Sequence, residues 1–343
     1  MRHGRRFGLD CTEIRFTRLA FARPRHSSTM IGGGDASPLL LSGEAAMAPT
    51  DGEPFFFDHD GLRLAGRFWG GIGQSGDDGA PAPLPIVCLP GLTRNSRDFA
   101  ELARLIREPD PTRPVLSFDF RGRGLSQYAE GPEAYTVPAE AADTLAGLDH
   151  LGISRAVFVG TSRGALVIHL IAAMRLSAIA GAVFNDAGPR IETEGLRQIR
   201  DTVGMVESFA NWESAANAVA ASLGPSFPAA SRQDFERMAR AGFTERGGRI
   251  LGNYDLRLLE PLRAMDLSAD LPELWAFFDL MKAIPLLVIR GETSALFSRA
   301  TVAAMTERHD DLEAIEVAGQ GHAPFLESGG LPERIRGFAQ RCL

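Results

Sequence analysis

The sequence is nearly devoid of lysine: Lys282 stands alone among 36 basic residues, the rest being arginine, a skew we read as coding bias without functional weight. Cysteine is scarce too, with Cys11 near the start, Cys88 in an apolar run and Cys342 at the end. An odd, scattered set builds no disulfide framework, so a reducing cytosol fits better than secretion and the expected location is cytoplasmic. No apolar run approaches the roughly 18–20 residues of a membrane span, so no membrane partner is expected. The formal net charge is -7 and no basic block interrupts the globular part, which argues against a nucleic-acid partner. The seven histidines are scattered without ligand spacing, so no metal centre is expected. Gly122-Arg123-Gly124 follows a strand-like run but lacks the further glycine and the opening helix of a dinucleotide site, so no cofactor is expected either.

What the chain does have is length and apolar content. At 343 residues and 45% hydrophobic composition it can bury one large core, or one core plus an insertion. Residues 1–50 differ from the rest. Arg2, Arg5, Arg6, Arg15, Arg18, Arg23 and Arg25 crowd the start and Ser/Gly/Ala-rich sequence follows. Without an apolar core and a cleavage site they make a poor signal peptide. The expectation is a disordered leader, or a start assigned too early with Met30 or Met47 as the true one.

From Phe55 onward the pattern alternates. Phe55 to Trp69 reads as two strands joined at Asp60-Gly61, a strong hairpin signal. Short apolar runs at Ile86–Leu89, Pro114–Asp119, Ala156–Val159, Gly181–Asp186, Ile284–Gly291 and Leu312–Val317 read as further strands. Helical patterns at Arg97–Arg107, Pro138–Leu151, Ala165–Met174, Ser298–His309 and Leu331–Arg341 lie between or after them. Strands alternating with helices imply an α/β fold, a mostly parallel sheet covered on both faces. Residues 188–282 break the alternation, with no strand signal, a helical pattern and eight Phe or Trp residues from Phe209 to Phe278. So long an excursion between strands reads as a helical cap over the sheet edge. The expected domains are a core of 51–187 and 283–343, with the cap at 188–282.

One stretch organises the chemistry. Ala156 to Val159 is a strand, Gly160-Thr161-Ser162-Arg163-Gly164 a turn, and Ala165 to Met174 a helix. Strand, G-x-S-x-G turn and helix together form a nucleophile elbow. A serine at the tip of so sharp a turn sits in a strained backbone, and glycines two residues either side avoid collision. Ser162 is the candidate nucleophile. Its high-pKa hydroxyl needs a neighbouring base. Arg163, next in the chain, offers its backbone N–H to a developing oxyanion. Its side chain would either greet an acidic substrate group or point outward.

From Phe55 to the C-terminus the sequence resembles the α/β-hydrolase fold superfamily, in its cap-bearing, esterase-like branch. The stretches that carry the resemblance are Pro90-Gly91-Leu92-Thr93, Asp119-Phe-Arg121-Gly-Arg-Gly124-Leu-Ser126, the elbow, Asn185-Asp186-Ala-Gly188-Pro189 and Gly319-Gln-Gly321-His322-Ala-Pro. His322 alone among the histidines sits in a glycine-flanked loop just after the last strand, where an imidazole can reach the elbow as base and then acid. By resemblance the second oxyanion donor is the N–H of Leu92, although Pro90 stands where many relatives carry histidine. The resemblance also implies an aspartate after the strand that ends at Arg290-Gly291. The chain departs there. It reads Gly291-Glu292-Thr293-Ser294-Ala295-Leu296, and Ala295 occupies the usual acid position. Asp186, after the preceding strand, and Glu292, a few residues early on the expected loop, are the candidate acids, and a site with no acid is the third option. Asn185-Asp186-x-Gly-Pro also reads simply as a turn that starts the cap.

The leading expectation is a serine hydrolase of a small ester or lactone, working through an acyl-enzyme, with an apolar acyl or ring group favoured by the aromatic cap. A carbon–carbon hydrolase of the meta-cleavage type would use the same serine and histidine. A small-molecule sensor with a weakened triad is the reading from another class. Relatives that hydrolyse epoxides or haloalkanes carry a carboxylate where Ser162 stands.

Overall fold

The structure, a computed structural model, describes residues 51–71, 82–205, 208–269 and 271–342. The expectations for residues 1–50, and for most of the loop between Gly70 and Pro85, lie outside them.

Two strands open the described chain, β1 (Glu53–His59) and β2 (Leu62–Trp69), paired antiparallel around the Asp60-Gly61 turn, where both residues have positive φ. Then come β3 (Ile86–Leu89), α1 (Ala100–Arg107), β4 (Val115–Asp119), α2 (Val137–His150), β5 (Ala156–Thr161), α3 (Arg163–Arg175) and β6 (Ile179–Asn185). A long excursion follows: α4 (Thr193–Thr202), β7 (Ser208–Phe209), α5 (Trp212–Leu223), α6 (Arg232–Gly242), β8 (Phe243–Arg246), β9 (Arg249–Gly252), α7 (Glu260–Ala264) and α8 (Trp275–Phe278). The chain returns as β10 (Leu286–Gly291), α9 (Arg299–Arg308), β11 (Leu312–Val317) and α10 (Leu331–Arg341).

Eight strands form one sheet in the order β1-β2-β4-β3-β5-β6-β10-β11. β1, β2 and β4 pair antiparallel, and every pairing from β4 to β11 is parallel. The apolar runs explain this. β3, β4, β6 and β10 are buried at every position, as strands covered on both faces must be. Alternate residues feed opposite faces. Val87, Leu89, Phe118, Phe158 and Phe184 join one core layer with α2 and α3, while Ile86, Cys88, Val157 and Val159 join the other with α1 and α10. Each large side chain buried this way contributes roughly 1.5–3 kcal/mol.

The excursion between β6 and β10 is not purely helical, which corrects the sequence expectation. β7, β9 and β8 form a small antiparallel sheet of their own. β7 has only two residues and β8 reads Phe-Thr-Glu-Arg, too short and too charged for period-2 alternation to show. Gly247-Gly248, both with positive φ, makes the two-residue hairpin turn between β8 and β9 and is the signal that marks it. The excursion is tied to loops at the C-terminal ends of the core strands. Arg94 Nη2 donates to Met238 O at 3.0 Å and Asn95 Nδ2 to Ala241 O at 2.9 Å, both from the loop after β3. Gly124 N donates to Asn253 O after β4, Thr293 Oγ1 to Ser226 O after β10, and Ala229 N to Gly319 O after β11. Among the described residues, no helix is long and apolar enough to cross a membrane.

Candidate active site

The parallel register of β5 and β6 brings the first two residues of the site together. Thr161 pairs with Asn185, so Ser162 and Asp186 leave neighbouring strand ends side by side, and Ser162 N donates to Asn185 O at 2.9 Å. Both residues are strained. Ser162 has φ 52° and ψ -111°, and Asp186 has φ 57°. Non-glycine residues rarely adopt such backbone, and it persists only where the surroundings fix it. The elbow's glycines are explained by the same crowding. A Cβ on Gly160 would come within 2.6 Å of the Ala165 nitrogen at the start of α3, and one on Gly164 would run into the Leu89 carbonyl of β3.

The third residue arrives on the loop after β11. His322 Nε2 lies 2.8 Å from Ser162 Oγ, and its Nδ1 lies 2.8 Å from Asp186 Oδ2. A neutral ring protonated on Nδ1 satisfies both bonds: it donates to the carboxylate and accepts from the serine hydroxyl. Asp186 is wholly buried, and its other oxygen, Oδ1, accepts the Gly291 N–H at 2.7 Å. A buried carboxylate needs such partners, since leaving it bare would carry a large desolvation penalty. The His322 loop is braced from behind by Gln320, whose Oε1 accepts the Phe325 N–H at 2.7 Å and whose Nε2 donates to Ser328 Oγ at 2.9 Å. Gly291 has no room for a side chain because the Gln320 and Gly321 carbonyls pass directly over it.

Of the residues that the sequence left open as acid, only Asp186 meets the histidine. Glu292 is exposed and turns away, accepting the Gly319 N–H through Oε2 at 2.7 Å. Ala295 packs with Leu296 against Gly195 of α4. The loop carrying both is held by Arg290, which donates to the carbonyls of Phe297, Glu292 and Ser294.

The loop after β3 passes beside the nucleophile, where a Cβ on Gly91 would sit 3.9 Å from Ser162 Cβ. Leu92 follows. Its carbonyl accepts from Arg123 Nε at 2.9 Å, an interaction that ties this residue to the loop after β4. Asp119, at the end of β4, holds the neighbouring turn. It accepts the Ser96 N–H at 2.7 Å and the Leu125 N–H at 2.9 Å, while burial pushes its carboxyl above the ordinary range. Gly124, at φ 59°, packs onto that carboxylate.

The Arg163 side chain neither meets the substrate side nor points outward. It folds back onto α2, where Nε donates to Glu140 Oε2 at 2.6 Å and Nη2 to the Tyr135 carbonyl at 3.0 Å. Glu140 and Arg123 are the residues that sequence reasoning passed over. The signal for Glu140 was present, a carboxylate on the buried stripe that Ala141, Thr144, Leu145 and Leu148 define on α2.

A strained serine, a histidine and a buried aspartate linked by two short hydrogen bonds can lower the barrier to attack on an acyl carbon. The comparisons with known proteins agree with the fold that carries them. The model of the alpha/beta hydrolase family matches residues 86–332. The chain belongs to that family. It is similar to the 3-hydroxybutyrate-oligomer hydrolase of Cupriavidus necator, 29% identical over 253 residues that cover 72% of this chain and 85% of the relative. It is also similar to the 2-(acetamidomethylene)succinate hydrolase of Mesorhizobium japonicum, 32% identical over 239 residues, 68% of this chain and 79% of that one. The crystal structure of an alpha/beta hydrolase from Novosphingobium aromaticivorans superposes with a TM-score of 0.76 at 36% identity, covering 85% of this chain and 99% of its own. The protein is a hydrolase of this family.

Proposed function

We propose that this hydrolase cleaves small esters or lactones through an acyl-enzyme on Ser162. The observation that carries the reading is the hydrogen-bonded series Ser162–His322–Asp186, with both links at 2.8 Å. The Ser162 hydroxyl proton moves to His322 Nε2 as Oγ bonds to the acyl carbon and the carbonyl π pair moves onto oxygen. The N–H groups of Leu92 and Arg163 receive that oxyanion. Collapse breaks the bond to the leaving oxygen, which takes the proton from Nε2. Water then gives its proton to His322, adds to the acyl carbon, and expels Ser162 Oγ, which recovers the proton. Asp186 keeps the ring in the required tautomer and stabilises the imidazolium.

Oligomers of a hydroxy acid are joined by ester bonds, so the name of the Cupriavidus necator relative is in keeping with ester chemistry here. The long excursion between β6 and β10 fits a cap whose aromatic side chains favour an apolar acyl or ring group. The sensor reading takes its motive from Ala295 and a weakened triad, and the Asp186–His322 hydrogen bond supports the hydrolase reading over it.

The test is a panel of p-nitrophenyl esters and aliphatic lactones, with wild type beside Ser162→Ala. Turnover of several per second that vanishes in Ser162→Ala is expected. Activity that survives Ser162→Ala would refute the nucleophile, and poor ester turnover beside rapid cleavage of a vinylogous diketone would favour the carbon–carbon hydrolase.

A further inference from the structure

Behind the nucleophile lies a buried cluster of three charged side chains that the chemistry above does not use. Glu140 and Arg123 are both fully buried, and Arg163 is 16% exposed. Glu140 stands between the two arginines. Its Oε2 accepts from Arg163 Nε at 2.6 Å, and its Oε1 ion-pairs with Arg123 Nη1 at 2.9 Å. Each arginine also grips backbone. Arg123 donates to the carbonyls of Leu92 and Arg121, and Arg163 to that of Tyr135.

What matters is where those arginines lead. Arg123 holds Leu92, and Arg163 directly follows Ser162 and opens α3. Leu92 and Arg163 are the two residues whose N–H groups are assigned above to the oxyanion. They come from separate loops, after β3 and after β5, and one carboxylate on a third element, α2, joins both through salt bridges. A cluster with two cations and one anion is a poor way to gain stability. Burying ions carries a penalty of several kcal/mol each, and apolar residues of similar volume often serve as well or better. Its benefit is geometric, because an oxyanion donor acts only if it stands within about 2.7–3.1 Å of where the charge develops.

We propose that Glu140 is a positioning residue for the oxyanion hole, registering the Leu92 and Arg163 peptides against each other through Arg123 and Arg163. The inference rests on the serine-hydrolase reading of the site. The loop that carries Arg123 is held independently. Arg123 forms an isolated antiparallel bridge with Tyr254, Gly124 N donates to Asn253 O, and Asp255 N to Gly122 O. Removing Glu140 therefore releases the link between the two donors and leaves each loop its other anchors.

The test compares wild type, Glu140→Gln and Arg163→Met with p-nitrophenyl butyrate as substrate. An aliphatic trifluoromethyl ketone serves as the probe of tetrahedral binding, and butyrate as the ground-state ligand. The expected result is a fall of about 10–100-fold in kcat with KM nearly unchanged, somewhat less than complete loss of one donor produces. The trifluoromethyl ketone should weaken by the same factor while butyrate inhibition stays as in wild type. A purely structural role would lower the folded fraction and leave these ratios alone. If Glu140→Gln does not fold, Arg163→Met decides, since it removes one arm and leaves the buried Arg123–Glu140 pair whole. Folded variants with kcat within about twofold of wild type would overturn the positioning role, while loss of activity in Ser162→Ala would keep the site reading intact. Full ester turnover in Ser162→Ala would bring down the site reading itself, and this proposal with it.

Discussion

The Asp186 carboxylate lies 2.8 Å from the Nδ1 of His322, a residue 136 positions further along the chain, and its second oxygen is occupied by the Gly291 N–H. On the proposed mechanism the acid stands at the end of β6 instead of the end of β10. Asp186→Asn keeps the shape but offers an amide where Nδ1–H needs an acceptor, and kcat should fall by about 10⁴. Glu292→Gln should stay near wild type, because Glu292 is engaged with the Gly319 N–H. Ala295→Asp should give no gain, since Asp186 already fills the one position at Nδ1. Steady-state kinetics of the three variants on a single ester check this. A gain of about 100-fold in Ala295→Asp would mean that the end of β10 is still the working position, against the geometry.

The elbow makes a stability prediction with an internal control. A methyl on Gly164 meets the Leu89 carbonyl, which belongs to a fully buried strand and cannot retreat. Gly164→Ala should therefore lose about 1–3 kcal/mol from overpacking and most of its activity as Ser162 is displaced. Gly337 lies inside α10, and a methyl added there would meet nothing within 4 Å. Gly337→Ala should gain about 0.5–1 kcal/mol from helix propensity and leave kcat alone. Urea unfolding of both variants measures the contrast, and equal destabilisation would show the clash argument to be wrong.

The parts of the site that sequence revealed are those that depend on local sequence. Gly160 to Gly164 identifies itself because the turn, its strand and its helix are contiguous, and the glycine spacing has a steric cause. His322 is legible for a similar reason, sitting alone in a glycine-flanked loop after the last strand. Asp186 was legible only as one option, because its role depends on β6 lying between β5 and β10, an adjacency created by the sheet. Arg163 and Glu140 were harder still. They lie 23 positions apart on two helices, and nothing in either helix announces the other. The small β7-β9-β8 sheet escaped because strands of two and four residues carry too little periodicity, leaving the Gly247-Gly248 turn as its one readable mark.

A second buried ionic group should behave as structure alone. Arg121 and Asp143 are 3% and 4% exposed and share two 2.7 Å hydrogen bonds, and His59 Nδ1 adds a third contact to the same carboxylate at 2.7 Å. Asp143→Ala leaves the buried Arg121 guanidinium only the exposed Asp60 carboxylate at 3.2 Å, and removing one partner of a buried pair costs about 3–5 kcal/mol. Thermal or urea unfolding should register that loss, while the KM of the folded fraction stays at the wild-type value. A changed KM would tie this cluster to the substrate side.

The last expectation concerns pH and rests on His169. Its ring is fully buried in α3 and stacks on Phe184 with centroids 4.9 Å apart. Nδ1 donates to the Ala165 carbonyl at 2.8 Å, while the buried Nε2 has no hydrogen-bond partner among the described residues. Burial pushes the imidazole down from 6.5 to about 4, against a weaker upward pull from the Ala165 carbonyl. A base with a depressed folded pKa binds fewer protons than the unfolded chain between those two values, so stability rises with pH across that window. This contribution is fully present above pH 6.5 and is lost as the pH falls towards 4, amounting to about 3 kcal/mol over the whole window. His169→Leu removes the titrating group and the orphaned Nε2 together. Urea unfolding of wild type and His169→Leu between pH 4.5 and pH 8 should give curves that converge at the alkaline end and separate in acid, the variant being the more stable there. Curves that stay parallel throughout would show that His169 is not the group that titrates.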